Sequence, residues 1–198
     1  MNVRDFAPFV LCVIATISLA GAVDARSVSF APDFDTYRNQ LAGAFKAKDV
    51  DRVLDLLETE GRSYDNEEHA RILVRYGLQN QALLIHRECM DVLSRMKDPD
   101  ARQHVIETAL ESKRWEIRAH CTRIMSRFGG EFAYEKLLES LKDKKWQVRS
   151  AAIRSLVRYR RTQTIDALIP LLKNEKGRIK ADITYTLRQL TGRTADAV

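Results

Sequence analysis

The sequence predicts an all-α solenoid of stacked antiparallel helix pairs, and three observations carry that expectation. Trp115-Glu116-Ile117-Arg118, Trp146-Gln147-Val148-Arg149 and Gly177-Arg178-Ile179-Lys180 superimpose without gaps, each beginning 31 residues after the last. A fixed period of this size marks units that cannot bury an apolar face alone and share a core with their neighbours. Apolar residues also recur at helical spacing around each of these strings. Finally, the 198 residues contain only 8 Gly and 4 Pro, and no Asn-Gly or Asp-Gly turn joins alternating apolar runs, so hairpins lack their strongest signal. With 45% hydrophobic and 30% charged residues, the chain has material for one domain-sized core and is not of disordered composition.

Residues 1–25 read as a segment apart. Arg4 precedes an uncharged run from Phe6 to Leu19, and Ala20-Gly21-Ala22 or Val23-Asp24-Ala25 offers small residues for cleavage after Ala22 or Ala25. This is the pattern of an export signal. The alternative is a membrane anchor through residues 6–23, barely long enough to span a bilayer. Cys12 follows Phe9-Val10-Leu11, which does not fit a lipoprotein signal. Loss of residues 1–22 removes one Arg and one Asp, so the formal charge stays at +6. The expected location is extracytoplasmic, periplasmic or secreted, where a basic helical protein meets acidic surfaces. Nucleic acid is disfavoured there, and membrane contact is expected only through an uncleaved N-terminal segment.

Residues 26–66 read as a divergent N-terminal helical pair and loop. Phe34–Lys46, with Leu41 and Phe45, forms one helix and Val50–Leu57 a second, with Asp49 as its cap; Gly61–Asn66 is the connecting loop. Residues 67–192 divide into four units, about 67–98, 99–130, 131–161 and 162–192, before a tail at 193–198. Their first helices carry the pairs Val74 and Leu78, Ile106 and Leu110, Leu137 and Leu141, and Leu168 and Leu172. Each pair is spaced i, i+4 and lies on one face. The second helices carry the stripes Ile85, Cys89, Leu93, Met96; Ile117, Cys121, Met125, Phe128; Val148, Ala152, Leu156, Tyr159; and Ile179, Ile183, Leu187, Leu190. Such a stripe belongs to a helix buried along one side. Cys89 and Cys121 share the slot of Ala152 and Ile183 and read as core residues, with a disulfide the lesser alternative.

Between the helices of each unit a short polar residue recurs: Asn80, Ser112, Asp143 and Asn174, at spacings of 32, 31 and 31. Each suits either a cap or the tight turn before a helix. Six residues later come His86, Arg118, Arg149 and Lys180, so polar group and cation together predict a ladder linking adjacent units. Trp115 and Trp146 open second helices, and their recurrence predicts packing against the next unit.

Asp143, Trp146-Gln147-Val148-Arg149-Ser150-Ala151-Ala152 and Ala167-Leu168-Ile169-Pro170-Leu171-Leu172 are similar to the HEAT repeat, across about residues 67–192. The first unit departs from the pattern with Leu84-Ile85-His86, and the last has Gly177 in place of Trp. The resemblance implies a HEAT-like superhelix acting as a scaffold that binds a protein partner.

The candidate partner-binding residues are Arg95, Arg127 and Arg158, which are repeat-equivalent, and Arg123 and Arg154, equivalent in the neighbouring row. Arg123 and Arg127 lie away from the apolar stripe, so the two rows predict an exposed basic strip for an acidic partner. The competing expectation is a solvated face neutralised by Glu107, Glu111, Glu135 and Glu139. A basic binder of anionic polymer or nucleic acid is the alternative function, and a lyase-like enzyme comes last. No phosphate loop, nucleophile elbow, H-E-x-x-H helix or Cys-x-x-Cys pair is present, and His69, His86, His104 and His120 form no metal pattern. The sequence therefore implies no cofactor, no metal and no catalytic residue.

Overall fold

In a computed structural model the described residues are 33–192. The expected leader at 1–25 and the tail at 193–198 lie outside them. Among the described residues there are ten α-helices and no strand: α1 (Phe34–Ala47), α2 (Val50–Thr59), α3 (Glu67–Ile72), α4 (Leu83–Arg95), α5 (Pro99–Glu111), α6 (Trp115–Met125), α7 (Gly130–Ser140), α8 (Trp146–Leu156), α9 (Thr162–Asn174) and α10 (Gly177–Thr191). They pair as α1/α2, α5/α6, α7/α8 and α9/α10, while α4 packs on the turn Leu73–Gly77 that follows α3. Second helices pack on second helices, α2 on α4, α4 on α6, α6 on α8 and α8 on α10, while α3 lies against α5 and α5 against α7. None of the described helices is long and apolar enough to cross a membrane.

The helix starts follow from local chemistry. Asp49 Oδ1 accepts from the Arg52 amide at 3.0 Å, and Asn66 Oδ1 from that of His69 at 2.8 Å, satisfying first-turn donors of α2 and α3. Asp98 does the same for Ala101 at the head of α5, with Pro99 in the first turn where no donor is needed. The loop after α2 contains a 3₁₀ turn, Gly61–Ser63.

The apolar stripes form one main core, with Val148 set apart in a small second cluster with Ala119 and Ala151. Ile85, Cys89, Leu93, Met96, Ile117, Cys121, Met125, Phe128, Val148, Ala152, Leu156, Ile179 and Ile183 are buried, and burial declines only towards the end of the stack, at Tyr159, Leu187 and Leu190. Cys89 and Cys121 are free thiols in this core. Burial pushes the Cys121 thiol up to about 12 and raises that of Cys89, where Glu88 adds to the shift, so neither is a reactive thiolate.

The first clear unit departs from regular geometry. After Ile72 the helix widens into a π turn, Leu73–Gly77, which passes hard against α4. A Cβ built on Gly77 would lie 2.2 Å from Cys89 Sγ and 2.8 Å from its Cβ, so the approach requires glycine. N-terminal to this, Tyr37 stacks on Tyr64 with ring centroids 4.5 Å apart. His69 reaches both residues: Nδ1 lies 2.9 Å from the Tyr64 carbonyl and Nε2 lies 2.9 Å from Tyr37 Oη. Burial lowers the His69 pKa and keeps the ring neutral. Because a carbonyl only accepts, Nδ1 carries the proton and Tyr37 donates to Nε2.

Candidate partner-binding groove

The turns that start the second helices are built alike. Asn80 Oδ1 accepts from the Ala82 amide at 2.8 Å, Ser112 Oγ from that of Arg114 at 3.3 Å, and Asp143 Oδ1 from that of Lys145 at 2.7 Å. Each acceptor stands two residues before the donor, so these groups fold the turn ahead of the helix and are not caps. Arg118 Nη1 then donates to the Ser112 carbonyl at 2.6 Å, and Arg149 Nη1 to the Asp143 carbonyl at 3.0 Å.

The same guanidiniums join adjacent units. Arg118 grips Asp143 with two bonds, Nε to Oδ2 at 2.7 Å and Nη2 to Oδ1 at 3.0 Å. The two side chains are only 13% and 12% exposed, so the charges meet with little water. Burial opposes ionisation of Asp143, but the Arg118 bond, the Lys145 amide and the charges of Arg118 and Arg149 outweigh it and hold the carboxyl below its ordinary range. Arg149 in turn pairs with Glu175 at 3.1 Å.

Both ends of the expected ladder need correction. Asn174 does not build a turn, because α9 runs through it and only two residues separate α9 from α10; Glu175, one position on, supplies the carboxylate instead. Lys180 is exposed, and its ammonium makes no hydrogen bond or ion pair among the described residues. At the other end His86 leaves Nε2 buried and unbonded and sets its ring 4.2 Å from that of His120.

The tryptophans also divide. Trp115 packs against Ala119, Val148 and Ala151, as expected of a stacking residue. Trp146 does not: it is 48% exposed. One repeat further on, the seat that Val148 and Ala151 give Trp115 is formed by Ile179 and Asp182. Asp182 is committed to Ser150 and Arg178 and offers no apolar surface.

Along the second helices two adjoining depressions form one groove. One, of about 610 Å³, is lined by Arg123, Trp146, Arg154, Arg158, Arg178 and neighbouring serines. The other, of about 450 Å³, shares Arg123, Ser126 and Arg158 and adds Arg87, Asp91 and Arg127. Six arginines thus face one aspartate. The helices come close enough to form it through small hydroxylated residues: Ser155 Oγ donates to the Thr122 carbonyl at 3.3 Å, and Thr186 Oγ1 to that of Ile153 at 3.2 Å.

All five candidate arginines are exposed, but not equally available. Asp91 takes two of them, Arg95 at 3.0 Å and Arg127 at 3.5 Å. Arg123 Nη1 donates to His120 Nδ1 at 3.2 Å, while Arg154 and Arg158 have no hydrogen bond or ion pair among the described residues. Arg123 touches solvent yet is walled in by protein; this desolvation, then the charge of Arg154, lowers its pKa. Neutralisation by Glu107, Glu111, Glu135 and Glu139 does not occur, since Glu107 accepts from Gln103, Glu139 pairs with Lys136, and none of the four pairs with the strip.

A family model described as HEAT repeats matches residues 84–156 and 134–198, together more than half of the chain. The chain belongs to the HEAT-repeat family. No curated protein matches the sequence. HEAT repeats commonly act as protein-interaction scaffolds, and the HEAT units here place their cations on one shared groove. Asp91, Arg87, Arg178 and Glu175 were not singled out by the sequence. A signal existed for Asp91, which stands one repeat ahead of Arg123 in the same slot.

Proposed function

We propose that this protein is an exported HEAT-repeat adaptor that holds an acidic protein partner in the groove along α4, α6, α8 and α10. The observation that carries this is the set Arg123, Arg154 and Arg158: three guanidiniums on neighbouring units, crowded into one depression and without a carboxylate partner there. Like charges brought together without counterions raise the energy of the free protein, and an acidic ligand relieves it. The half-exposed Trp146 on the wall adds the kind of large rigid surface that anchors protein interfaces. Export is supported by Arg4, the uncharged run after Phe6 and the Ala-x-Ala site. N-terminal sequencing of the mature protein tests it: a start at Val23 or Arg26 is expected, and retention of residues 6–23 would indicate an anchor.

The binding function is tested by recovering partners from the native compartment with the wild-type protein and with a variant carrying glutamine at Arg123, Arg127, Arg154 and Arg158. Proteins held by the wild type and lost by a variant of unchanged helicity support the reading. Equal recovery by both removes it. One observation favours the second reading, an anionic polymer: residues 144–192 contain 12 Lys and Arg against 3 Asp and Glu. That reading requires a linear fall of log affinity with log salt over many phosphate or sulfate contacts.

A further inference from the structure

The groove holds one carboxylate of its own, and that carboxylate shows how the groove receives others. Asp91 on α4 occupies the slot that Arg123 and Arg154 fill one and two repeats later. It is approached by Arg95 from its own helix at 3.0 Å, by Arg127 from the turn just after α6 at 3.5 Å, and by Arg62 from the loop after α2 at 3.5 Å. In the first repeat, then, a carboxylate is seated between arginines of two adjacent units. In the next repeat the carboxylate is replaced by Arg123 while both flanking arginines persist as Arg127 and Arg158; in the one after, Arg154 keeps Arg158, but the flanking position on α10 is Gln189 and Arg178 lines the groove there instead. Arg127 and Arg158 border the slot of Arg123; Arg158 and Arg178 border that of Arg154. The side chains of Arg123 and Arg154 thus stand at the centre of two arginine clusters, between α6 and α8 and between α8 and α10. In these clusters Arg123, Arg154 and Arg158 have no carboxylate partner among the described residues, and each cluster forms a seat for a carboxylate from another molecule.

Their separation restricts what fills them together. Packed helices lie about 8–10 Å apart, and one seat follows another by one helix. A polyproline II segment returns a side chain to the same direction every three residues, after about 9 Å. A β-strand returns to the same face after about 7 Å and again only after about 13 Å, so it misses the second seat. Trp146 on the wall supplies what such a ligand uses besides charge, a flat aromatic surface against which proline rings pack.

Resting on the acidic-partner reading above, we propose that the groove binds a protein segment in the polyproline II conformation. Its carboxylates, three residues apart, pair with the arginine clusters centred on Arg123 and Arg154, and a proline packs on Trp146. Asp91 marks the edge of the site, since it already occupies the equivalent seat in the first unit.

The test is a titration of full-length protein with fluorescent peptides of equal composition and charge, one carrying Glu-Pro-Pro-Glu and the other Pro-Glu-Glu-Pro, followed by anisotropy. The spaced peptide is expected to bind up to about fivefold tighter, two modest ion pairs against one. Replacing Arg154 and Arg158 with glutamine removes this advantage while circular dichroism stays unchanged. Asp91→Asn takes the carboxylate from Arg95 and Arg127, leaving a third arginine cluster unneutralised, and is expected to strengthen a peptide with three glutamates at three-residue intervals by about fivefold, and the two-glutamate peptide by less than about twofold. Equal, arginine-dependent binding of the two peptides would overturn the spacing while leaving an acidic partner in place. Failure of both peptides, with inorganic polyphosphate or a single-stranded oligonucleotide bound through the same arginines, would overturn the protein-partner reading as well. No gain in Asp91→Asn would remove the role assigned to that residue.

Discussion

The Arg118–Asp143 pair concentrates the contact between two repeats in one bidentate interaction that is nearly closed to water. Removing one member leaves the other charge desolvated and alone, so Arg118→Ala is expected to cost about 2–4 kcal/mol. Urea unfolding would measure it, and a loss below about 0.5 kcal/mol, the range of an exposed pair, would contradict the assignment. The two tryptophans give a sharper contrast. Trp115→Ala removes a ring packed on Val148 and Ala151 and is expected to cost about 2–4 kcal/mol, whereas Trp146→Ala is expected to cost under about 1 kcal/mol because half of its ring already faces water. Comparable losses for the two would show that Trp146 has a packing role the structure does not give it.

At the level of elements, the π turn passes close against α4 at Gly77. Gly77→Ala places a methyl group within 2.2 Å of Cys89 Sγ, and overpacking of this kind is expected to cost about 1–3 kcal/mol. The double variant with Cys89→Ala should recover part of that loss in thermal unfolding; no recovery would place the strain elsewhere. This junction also shows where the sequence stops being informative. The stripes were legible because a buried helical face imposes its period on the residues, and Ile117, Val148 and Ile179 are all buried as their register requires. The turn residues Asn80, Ser112 and Asp143 were legible because a short acceptor before a helix has few other uses. Nothing in Leu73-Val74-Arg75-Tyr76-Gly77 announces a widened helix, which packs at Gly77 against the thiol of Cys89, on the next helix. Glu175 was hidden by a shortened turn that moves the acceptor by one position. The exposure of Trp146 depended on Asp182, a partner one repeat further along the chain whose influence appears only when the units are stacked.

Across the whole molecule, all four histidines are held below the ordinary histidine value. Burial is the leading cause in each; His86 also feels Arg123, His104 feels Arg71, and His120, beside His86 and Arg123, is lowered to about 4. These rings are neutral in the fold, while the unfolded chain takes up protons below about pH 6.5. The unfolded state therefore binds more protons in that window, so stability is complete above about pH 6.5 and falls as pH drops, for His120 until about pH 4. Melting temperature measured from pH 7.5 to 4.5 is expected to decline, less steeply in His120→Gln; a flat profile would contradict the neutral, buried His86–His120 contact.

Charge is also divided along the chain, with the excess of cations gathered in residues 144–192, which supply Trp146, Arg154, Arg158 and Arg178 to the larger of the groove's two depressions. The account rests on that groove attracting an acidic polypeptide through Arg123, Arg154 and Arg158. The most direct measurement is calorimetric titration of poly-glutamate into the wild-type protein and into a variant with glutamate at Arg154 and Arg158, at low and at physiological salt. The account predicts binding by the wild type that weakens with salt, and no binding by a variant that melts at the same temperature. Equal binding by both proteins would contradict it.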